Sequence, residues 1–390
     1  MKFLSSLKNK NLSGRICLLR VDLNVKDSEL NKNNLRVRAV LPTIKFLTEK
    51  GARVVILSHR GRPKPAKRAD SEFRIQNLEF SLKPLAGILS RLLKKPVNFI
   101  SLKELSTPKS AKEKISNSIK GSVFLAENLR FLPGEEKNDK KIAKQLASLG
   151  DFYVNDAFAV SHRANASVEA ITKFLPSYAG LLMKKEIENL GKVMKAAKKP
   201  FVIILGGAKI SDKLGIIKNF KKNADKFLIG GGVANTFLVA EGLPIGDSIF
   251  EEKMIPEAKK LLKLPPSTRS GQAKIILPVD YAMEKGKILD IGPETAKRYA
   301  EIIKKAKTII WNGPMGYFEN PKFAQGSKAV TEAILRSKAF AVIGGGETTS
   351  LFLNSKSKIL NSKIFISTGG GAMLEYLGGK KLPGIEALRR

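Results

Sequence analysis

The sequence predicts an α/β protein with two doubly wound, Rossmann-like parallel-sheet domains joined by a helical hinge. At 390 residues the chain is longer than one ordinary domain, for which about 150 residues is typical. Apolar, β-rich runs alternate with amphipathic stretches in two separate series. The apolar runs contain few polar positions, so we expect both sheets to be parallel and covered on both faces.

The first series predicts five strands separated by helices. Its strands are expected at 16–23, 53–58, 97–100, 122–127 and 152–156. Amphipathic helices are expected at 36–50, closed by Gly51, and at 81–95.

The second series predicts six strands, several of which end in glycine. They are expected at 201–207, 226–231, 274–280, 308–314, 340–346 and 363–370. Four of the six run into glycine pairs or triplets just before a predicted helix. Ligands of open α/β sheets bind at the carboxyl ends of strands, where glycine admits close approach and helix N-termini attract anions. This pattern favours a phosphate or nucleotide site.

A connecting helix is expected where the two series meet. Pro176 and residues 177–180 are predicted to start a long helix over 181–198. No low-complexity linker separates the halves, so we expect them to be coupled through this helix.

Composition excludes several classes of protein. No stretch approaches the roughly 18 apolar residues of a membrane span, and the first residues do not resemble a secretory signal. The single cysteine, Cys17, excludes an internal disulfide framework, and we expect a cytoplasmic location. Walker, protein-kinase and GxGxxG motifs are absent, which weakens a dinucleotide-binding interpretation.

The net charge is unusually high, with 70 Lys and Arg against 35 Asp and Glu, a formal +35. Such an excess raises binding to nucleic acid or to an anionic surface as an alternative function. The lysines occur in every segment rather than in one tail, which favours a generally basic surface. We therefore do not expect a nucleic-acid partner.

Cationic side chains follow the predicted strands of the first series. They are Arg36, Arg38, His59, Arg60, Arg62, Arg130, His162 and Arg163. Each alone is most often a solvated loop charge, but successive parallel strands place their carboxyl ends on one rim. Arginine is suited to bidentate recognition of phosphate and carboxylate, so the group predicts a site for a small polyanion.

Two lysines and a glycine-rich turn stand at the corresponding positions of the second series. Lys209 and Lys213 follow a strand directly, and their spacing predicts one shared face at a helix start. The alternative for Lys213 is a surface helix charge. Residues 344–348, GGGET, are expected to begin a helix. Both segments favour nucleotide phosphates as the ligand.

These residues lie in blocks that resemble phosphoglycerate kinase over nearly the whole chain. The blocks are RVDLNV (20–25), LRVRAVLPTI (35–44), SHRGRPK (58–64), ENLRFLPGEEKND (127–139), VNDAFAVSHRANAS (154–167), LGGAKISDK (205–213), LPVD (277–280), LDIGPET (289–295), WNGPMGYFE (311–319), GGGETT (344–349) and STGGGAMLEYLGGKKLPG (367–384).

The resemblance implies a role for each candidate residue. The hydroxyl and carboxylate end of the triose would be held by Asp22, Leu23 and Asn24. The substrate phosphate would be bound by His59, Arg60, Gly61, Arg62, Arg130 and Arg163. The transferring phosphoryl group would be flanked by the catalytic residues Arg36 and Lys209. Nucleotide phosphates, ribose and metal would be bound by Lys213, Glu319, Gly345, Gly346, Glu347 and Thr348, with Glu347 at the metal and Gly292 lining the cleft.

The implied activity is reversible phosphoryl transfer between ATP and the carboxylate of 3-phosphoglycerate, with Mg²⁺, in glycolysis. The triose domain would span 1–173, with 380–390 packing back on it, and the nucleotide domain 174–379. A carboxylate nucleophile is already ionised at neutral pH, so no general base is expected. Two substrates on two domains predict hinge closure, and a monomer is expected.

Some positions depart from the family pattern, and two alternatives stay open. Glu347 stands where aspartate is usual, Asn165 replaces a histidine, Arg60 replaces an apolar residue and Tyr317 replaces valine. A Rossmann-type dehydrogenase would require a glycine fingerprint that the sequence lacks. A basic nucleic-acid-binding protein would depend on the charge alone.

Overall fold

The computed structural model describes residues 1–63, 78–263, 273–354 and 363–390. The described chain forms two compact units: unit 1 contains Met1–Ile187 with Lys381–Arg390, and unit 2 contains Glu188–Lys380. Each unit contains a six-stranded parallel sheet, so the predicted α/β fold class is confirmed. Of the motif blocks, only the last residue of SHRGRPK, Lys64, lies outside the described residues.

The sheet of unit 1 contains all five predicted strands and one more. Its strands are β1 (Ile16–Arg20), β2 (Arg53–Leu57), β3 (Val97–Ile100), β4 (Val123–Ala126), β5 (Phe152–Asn155) and β6 (Ser177–Ala179). Their order is β3-β4-β2-β1-β5-β6 and every neighbouring pair is parallel. The loops after β1, β2, β4 and β5 therefore leave the sheet at one edge.

Seven helices of the described residues follow in the first half of the chain. They are α1 (Leu35–Ala39), α2 (Leu41–Glu49), α3 (Lys83–Leu93), α4 (Leu102–Ser106), α5 (Pro108–Ser116), α6 (Lys140–Ala147) and α7 (Leu181–Lys195). The Asn34 side chain caps α1 by accepting from the amides of Arg36 and Val37.

Two expected helices differ from the structure. The helix expected at 36–50 is divided at Val40, which caps α1 and precedes α2, whose first turn contains proline. The segment 177–180, expected to start the connecting helix, instead contributes β6, and α7 begins at Leu181 and ends at Lys195. The division between the two units falls within α7, after Ile187.

The sheet of unit 2 contains the six strands predicted there. They are β7 (Phe201–Leu205), β8 (Lys226–Ile229), β9 (Lys274–Ile276), β12 (Thr308–Asn312), β13 (Phe340–Gly344) and β14 (Ile364–Ile366). Their order is β14-β13-β12-β7-β8-β9, again all parallel. An antiparallel hairpin of β10 (Tyr281–Glu284) and β11 (Lys287–Ile291), which we did not predict, is inserted between β9 and β12.

The helices of unit 2 lie between its strands. They are α8 (Leu214–Phe220), α9 (Gly231–Ala240), α10 (Ile255–Leu262), α11 (Pro293–Lys305), α12 (Gln325–Arg336), α13 (Gly346–Asn354) and α14 (Gly371–Leu377). Single 3-10 turns complete the described chain at Leu4–Leu7, Asp27–Glu29, Leu78–Phe80, Leu129–Phe131, Phe158–Val160, Ala170–Lys173, Glu252–Met254, Pro321–Phe323 and Ala387–Arg389.

The last ten residues return to unit 1. They contain α15 (Pro383–Glu386), whose Gly384 amide donates to the Ser161 carbonyl at 2.9 Å. Leu382, Ile385 and Leu388 are buried. Among the described residues, no helix combines the length and apolar character needed to cross a membrane.

Candidate active site

The loop after β1 is fixed by polar contacts that start at the end of the strand. The Leu23 amide donates to Ser58 Oγ at 2.9 Å, which ties this loop to the one after β2. Asp22 is buried and forms an ion pair with Arg36, whose side chain is about one-third exposed. The Arg36 guanidinium is therefore held at the sheet edge while part of it stays accessible to a ligand.

Gly61 is required by the backbone of the loop after β2. Its φ is +62°, and a Cβ there would lie 2.1 Å from the Phe80 ring. The Gly61 amide donates to Asn24 Oδ1 at 2.9 Å, and its carbonyl accepts from Arg130. Three loops, those after β1, β2 and β4, are thus joined at this glycine.

The Arg60 side chain binds backbone and a carboxylate of neighbouring loops of unit 1. Its guanidinium donates to the Val25 carbonyl at 3.0 Å, to the Ser81 carbonyl at 3.3 Å and to the Asp27 carboxylate. The side chain is 3% exposed. These contacts occupy the group that the sequence assigned to the substrate phosphate, so Arg60 supports the loop in this structure.

The remaining arginines of unit 1 differ in burial. Arg130 is buried, pairs with Glu136 at 3.1 Å, and its buried Nε has no hydrogen-bond partner among the described residues. Burial, followed by the positive charges of neighbouring arginines, lowers the pKa of Arg130, with the Glu136 carboxylate acting in the opposite direction. Arg163 is half-buried and Arg62 is exposed. Unit 1 therefore brings strong cationic donors to one edge, where an anion would relieve their mutual repulsion.

A further arginine, Arg20, was missed because it lies inside the predicted first strand. It is the last residue of β1 and is 1% exposed. Its Nε donates to Ser167 Oγ at 2.9 Å and its Nη2 lies 3.2 Å from His59 Nδ1. The signal available in the sequence was a charged residue within the apolar run ICLLRVDL, since a buried arginine must be paired.

The two lysines of unit 2 do not share a helical face. Both precede α8, because Lys213 is its N-cap and Lys209 lies in the loop before it. Lys209 is exposed, whereas Lys213 is 7% exposed and donates to the side chain of Asn312. Burial lowers the pKa of Lys213, opposed by the carboxylates of Asp212 and Glu347. Lys213 is therefore a buried cation and not a surface helix charge.

The glycine-rich segment after β13 begins a helix, as predicted. Gly345 has φ +95° and precedes α13, which starts at Gly346. Thr348 is buried, and its hydroxyl accepts from the Gly313 amide at 2.8 Å. The Thr348 side chain thereby ties the start of α13 to the loop after β12, while Glu347 stays exposed.

A cavity of about 270 Å³ opens beside these residues within unit 2. Its walls include Gly207, Tyr281, Tyr317, Glu319 and Glu347. This volume is near the lower end of small-molecule sites, roughly 300 Å³. The cavity combines glycine backbone, aromatic rings and carboxylates, which suits a nucleotide base and ribose.

Gly292 lies outside the lining of this cavity, although the sequence placed it in the nucleotide cleft. Its amide donates to the Asp280 carbonyl at 2.8 Å, and a Cβ there would lie 2.2 Å from Asp280 Oδ2. The preceding residues Leu289, Asp290 and Ile291 line the cavity instead.

The described residues contain carboxylates at this edge but no ready-made metal cluster. Among the described residues, no cluster of three or more His, Cys, Asp or Glu side chains could hold a metal ion. Mg²⁺ is commonly held by one or two carboxylates together with substrate phosphates. The exposed Glu347 carboxylate beside the cavity fits that kind of site.

The sequence is similar to that of known proteins over nearly its whole length. The family model described as phosphoglycerate kinase matches residues 7–380. A phosphoglycerate kinase from Herpetosiphon aurantiacus is 45% identical over 96% of this chain and 96% of its own length. One from Dictyoglomus turgidum is 42% identical over 100% of this chain and 99% of its own length.

Two solved structures are also similar. The phosphoglycerate kinase from Coxiella burnetii aligns with a TM-score of 0.80 and 35% identity, covering 98% of this chain and 97% of its own. The enzyme from Pyrococcus horikoshii aligns with a TM-score of 0.82 and 34% identity, covering 100% of this chain and 98% of its own.

Proposed function

This chain belongs to the phosphoglycerate kinase family, and we propose that it performs the family's reaction through the residues described above. Its activity is that of a phosphotransferase with a carboxyl acceptor. ATP is the phosphoryl donor that the family implies. The acceptor is the carboxylate of 3-phosphoglycerate, and the products are 1,3-bisphosphoglycerate and ADP.

Unit 1 is proposed to bind the triose at the carboxyl edge of its sheet. Asp22, Leu23 and Asn24 would contact its hydroxyl and carboxylate end. The substrate phosphate would be bound by His59, Gly61, Arg62, Arg130 and Arg163. The orphaned Nε of the buried Arg130 supports this assignment, because an anion would supply the missing acceptor. Arg60 is assigned to holding the loop.

Unit 2 is proposed to bind the nucleotide. Base and ribose would occupy the cavity, with Glu319 at the ribose, and the phosphates would meet Lys213 and the amides at the start of α13. Gly345, Gly346 and Thr348 shape that start. What supports this is the burial of the Lys213 cation beside a glycine-rich helix start, an arrangement suited to phosphate.

Mg²⁺ is proposed to be held by Glu347 together with the nucleotide phosphates. When bound, the ion would neutralise part of the charge that builds up on the phosphoryl oxygens. Glu347 is exposed at the cavity wall, so its carboxylate is accessible to a metal–nucleotide complex.

The chemistry needs positioning and charge more than proton transfer. The acceptor carboxylate is ionised at neutral pH and attacks without a base. Arg36, held by Asp22, and the exposed Lys209 are proposed to stabilise the transferring phosphoryl group. Hinge closure, the monomeric state and a cytoplasmic location remain predictions.

The observation that carries the residue assignment is the convergence of Asp22-bound Arg36 and the other arginines on one sheet edge. A coupled assay with 3-phosphoglycerate, ATP and Mg²⁺ tests it. We expect ADP release only when 3-phosphoglycerate is present, and a severe loss in Arg36→Ala. Salt-dependent retention on DNA without nucleotide turnover would instead favour the nucleic-acid alternative.

A further inference from the structure

A buried chain of hydrogen bonds runs behind the triose edge of unit 1 and ends at His59. Its members are Glu135, Ser167, Arg20 and His59, which are 0%, 0%, 1% and 3% exposed. We propose that Glu135 and Ser167 are positioning residues that act through Arg20 to keep the proton of the His59 ring on Nε2, so that His59 presents an N–H donor to the triose ligand. This inference rests on the proposed role of His59 in triose binding.

The first link is between Glu135 and Ser167. The Ser167 hydroxyl donates to Glu135 Oε1 at 2.6 Å, and the Ser167 amide donates to Glu135 Oε2 at 3.0 Å. A hydroxyl has one hydrogen, and here the carboxylate takes it. The lone pairs of Ser167 Oγ are therefore left to accept from Arg20 Nε at 2.9 Å.

The second link fixes the histidine tautomer. Arg20 Nη2 lies 3.2 Å from His59 Nδ1. A guanidinium only donates hydrogen bonds, so Nδ1 must be the acceptor. In a neutral ring the proton then sits on Nε2, on the side of the imidazole away from Arg20.

The electrostatics favour the same state. Burial lowers the pKa of His59, and the positive charges of Arg20, Arg130, Arg163 and Arg36 lower it further. His59 is thus neutral at physiological pH. A neutral ring among arginines could carry its proton on either nitrogen, so a specific contact has to decide which one.

Glu135, at the far end of these hydrogen bonds from His59, is held by its own polar contacts. Burial raises its pKa, while Arg20 and the hydrogen bonds from Ser167 and Asn165 lower it. Asn165 stands where the family pattern has a histidine, so in this chain an uncharged amide contacts the carboxylate. The Glu135 carboxylate therefore orients the Ser167 hydroxyl, which in turn accepts from the buried Arg20.

The alternative is that these buried hydrogen bonds only stabilise the fold. Tyr153 offers a matched comparison, because its hydroxyl donates to the Ser167 carbonyl at 2.7 Å and it is equally buried. Tyr153→Phe removes a buried hydrogen bond from the same residue and leaves the Ser167 hydroxyl untouched. This variant separates loss of stability from loss of the relay, by which we mean the hydrogen bonds that run from Glu135 through Ser167 and Arg20 to His59.

The experiment is nitrogen NMR of the histidine rings in the intact protein. The chain has only two histidines, so two sets of ring signals are expected, and a His162→Gln variant assigns them. In the wild type we expect the Nε2–H tautomer of His59 across neutral pH. A wild-type ring with its proton on Nδ1 would overturn the proposal without any variant.

Two variants break the relay and one conserves it. Ser167→Ala removes the hydroxyl, and Glu135→Gln offers one acceptor oxygen where the carboxylate offers two. In both we expect mixed tautomers and a KM for 3-phosphoglycerate about tenfold higher with a smaller change in kcat. Ser167→Thr, which keeps the hydroxyl, should restore the wild-type tautomer, and Tyr153→Phe should lower thermal stability while keeping it.

The outcomes separate this inference from the proposed function. If neither turnover nor a His59 signal responds to 3-phosphoglycerate in the wild type, the proposed function fails. If both respond but Ser167→Ala and Glu135→Gln keep the wild-type tautomer, the relay is wrong. Should those two variants not fold, a wild-type ring with its proton on Nδ1 still overturns the proposal, and an Nε2–H ring kept in Ser167→Thr and Tyr153→Phe supports it.

Discussion

The two sheet edges that we propose as anion sites are built differently. At the edge of unit 1, charged side chains such as Arg20 and Arg130 are at most 5% exposed and are held by hydrogen bonds. At the edge of unit 2, backbone packs on backbone: a Cβ on Gly206 would lie 2.0 Å from the Pro314 carbonyl oxygen, and one on Gly313 would lie 2.2 Å from that of Gly206. The first edge is built from buried charged side chains, and the second from closely packed main chain.

The largest expected effect comes from removing the lysines of unit 2, which have opposite exposures. Lys209→Ala should lower kcat by roughly 10²–10³-fold with little change in nucleotide Kd, as for other groups that stabilise developing charge. Lys213→Ala should weaken ATP binding as well, because its buried cation lies next to the proposed phosphate site. Steady-state kinetics and calorimetric nucleotide titration measure both. Equal effects confined to KM would refute the division of roles.

Removing the returning residues should break unit 1 more than unit 2. Ending the chain after Gly379 exposes the surface covered by Leu382, Ile385 and Leu388, each worth about 1.5–3 kcal/mol when fully buried. We expect a large fall in Tm and loss of turnover. A chain ending after Leu388 is the control, since it loses only two exposed arginines and their ion pairs, Arg389 with Glu386 and Arg390 with Glu169. Unchanged stability after the longer truncation would contradict the packing described here.

Backbone requirements also exist at the charged edge, and Gly61 tests them. Gly61→Ala must relieve both a φ of +62° and the 2.1 Å approach to the Phe80 ring. We expect a loss of about 1–3 kcal/mol in unfolding free energy and a raised KM for 3-phosphoglycerate. Gly87→Ala in α3, where a Cβ meets nothing within 4 Å, should be neutral or slightly stabilising. Similar results for the two variants would show that the loop does not require glycine at position 61.

Among the described residues, each unit contains one buried aspartate whose pKa is raised. Burial raises the pKa of Asp156 and of Asp290 to about 6. The folded pKa exceeds the unfolded value near 3.9, so each contributes stability below about pH 4 that is lost as the pH rises through about 6. The loss should be at most about 3 kcal/mol for each carboxyl.

Asparagine variants compare the two aspartates. Asp156 accepts from the Met183 amide at 2.9 Å through Oδ1, while its buried Oδ2 has no partner among the described residues. Both oxygens of Asp290 accept amides, from Gly326 at 2.7 Å and from Ile291 at 2.9 Å. Asp156→Asn should therefore flatten the pH dependence of unfolding between pH 4 and 7 more than Asp290→Asn. Denaturant titrations at several pH values measure this. The opposite ranking would show that the hydrogen-bond difference is not decisive.

The smallest effect is expected at Glu347. Glu347→Gln keeps the size and removes the charge, so the Mg²⁺ needed for half-maximal activity should rise a few-fold and kcat should fall. The alternative is that Glu347 only favours the start of α13 through the helix dipole, worth roughly 0.5 kcal/mol. An unchanged metal requirement with a slight loss of thermal stability would leave that role alone.

The fold could be predicted to the extent that apolar periodicity marks it. Every run predicted as a strand forms one, because buried parallel strands are nearly continuous in apolar residues. The edge strand β6 was missed since it has three residues, Ser-Tyr-Ala, after a proline. The hairpin β10–β11 was missed because its strands are largely half-exposed and its turn, at Lys285 and Gly286 with positive φ, lacks a strong turn signal.

The candidate site residues named from the sequence lie in loops or at helix starts, and polar residues inside strands were overlooked. Arg20 and Asn312 end β1 and β12, where the apolar pattern hid them. Glu135 lies in a charged run that is typical of a solvated surface, yet it is fully buried. Only tertiary contacts distinguish such groups from their exposed neighbours, as the half-exposed Glu136 beside it illustrates.

The returning residues also set an order in time. The ribosome delivers residues 381–390 only after all of unit 2, and at about 5–20 residues per second roughly ten to forty seconds separate Ile187 from Lys381. During that interval the surface of unit 1 around Ser161 and Val168, which Gly384 later covers, stays exposed. A chain that ends just before Lys381 therefore contains all of unit 2 but an incomplete unit 1.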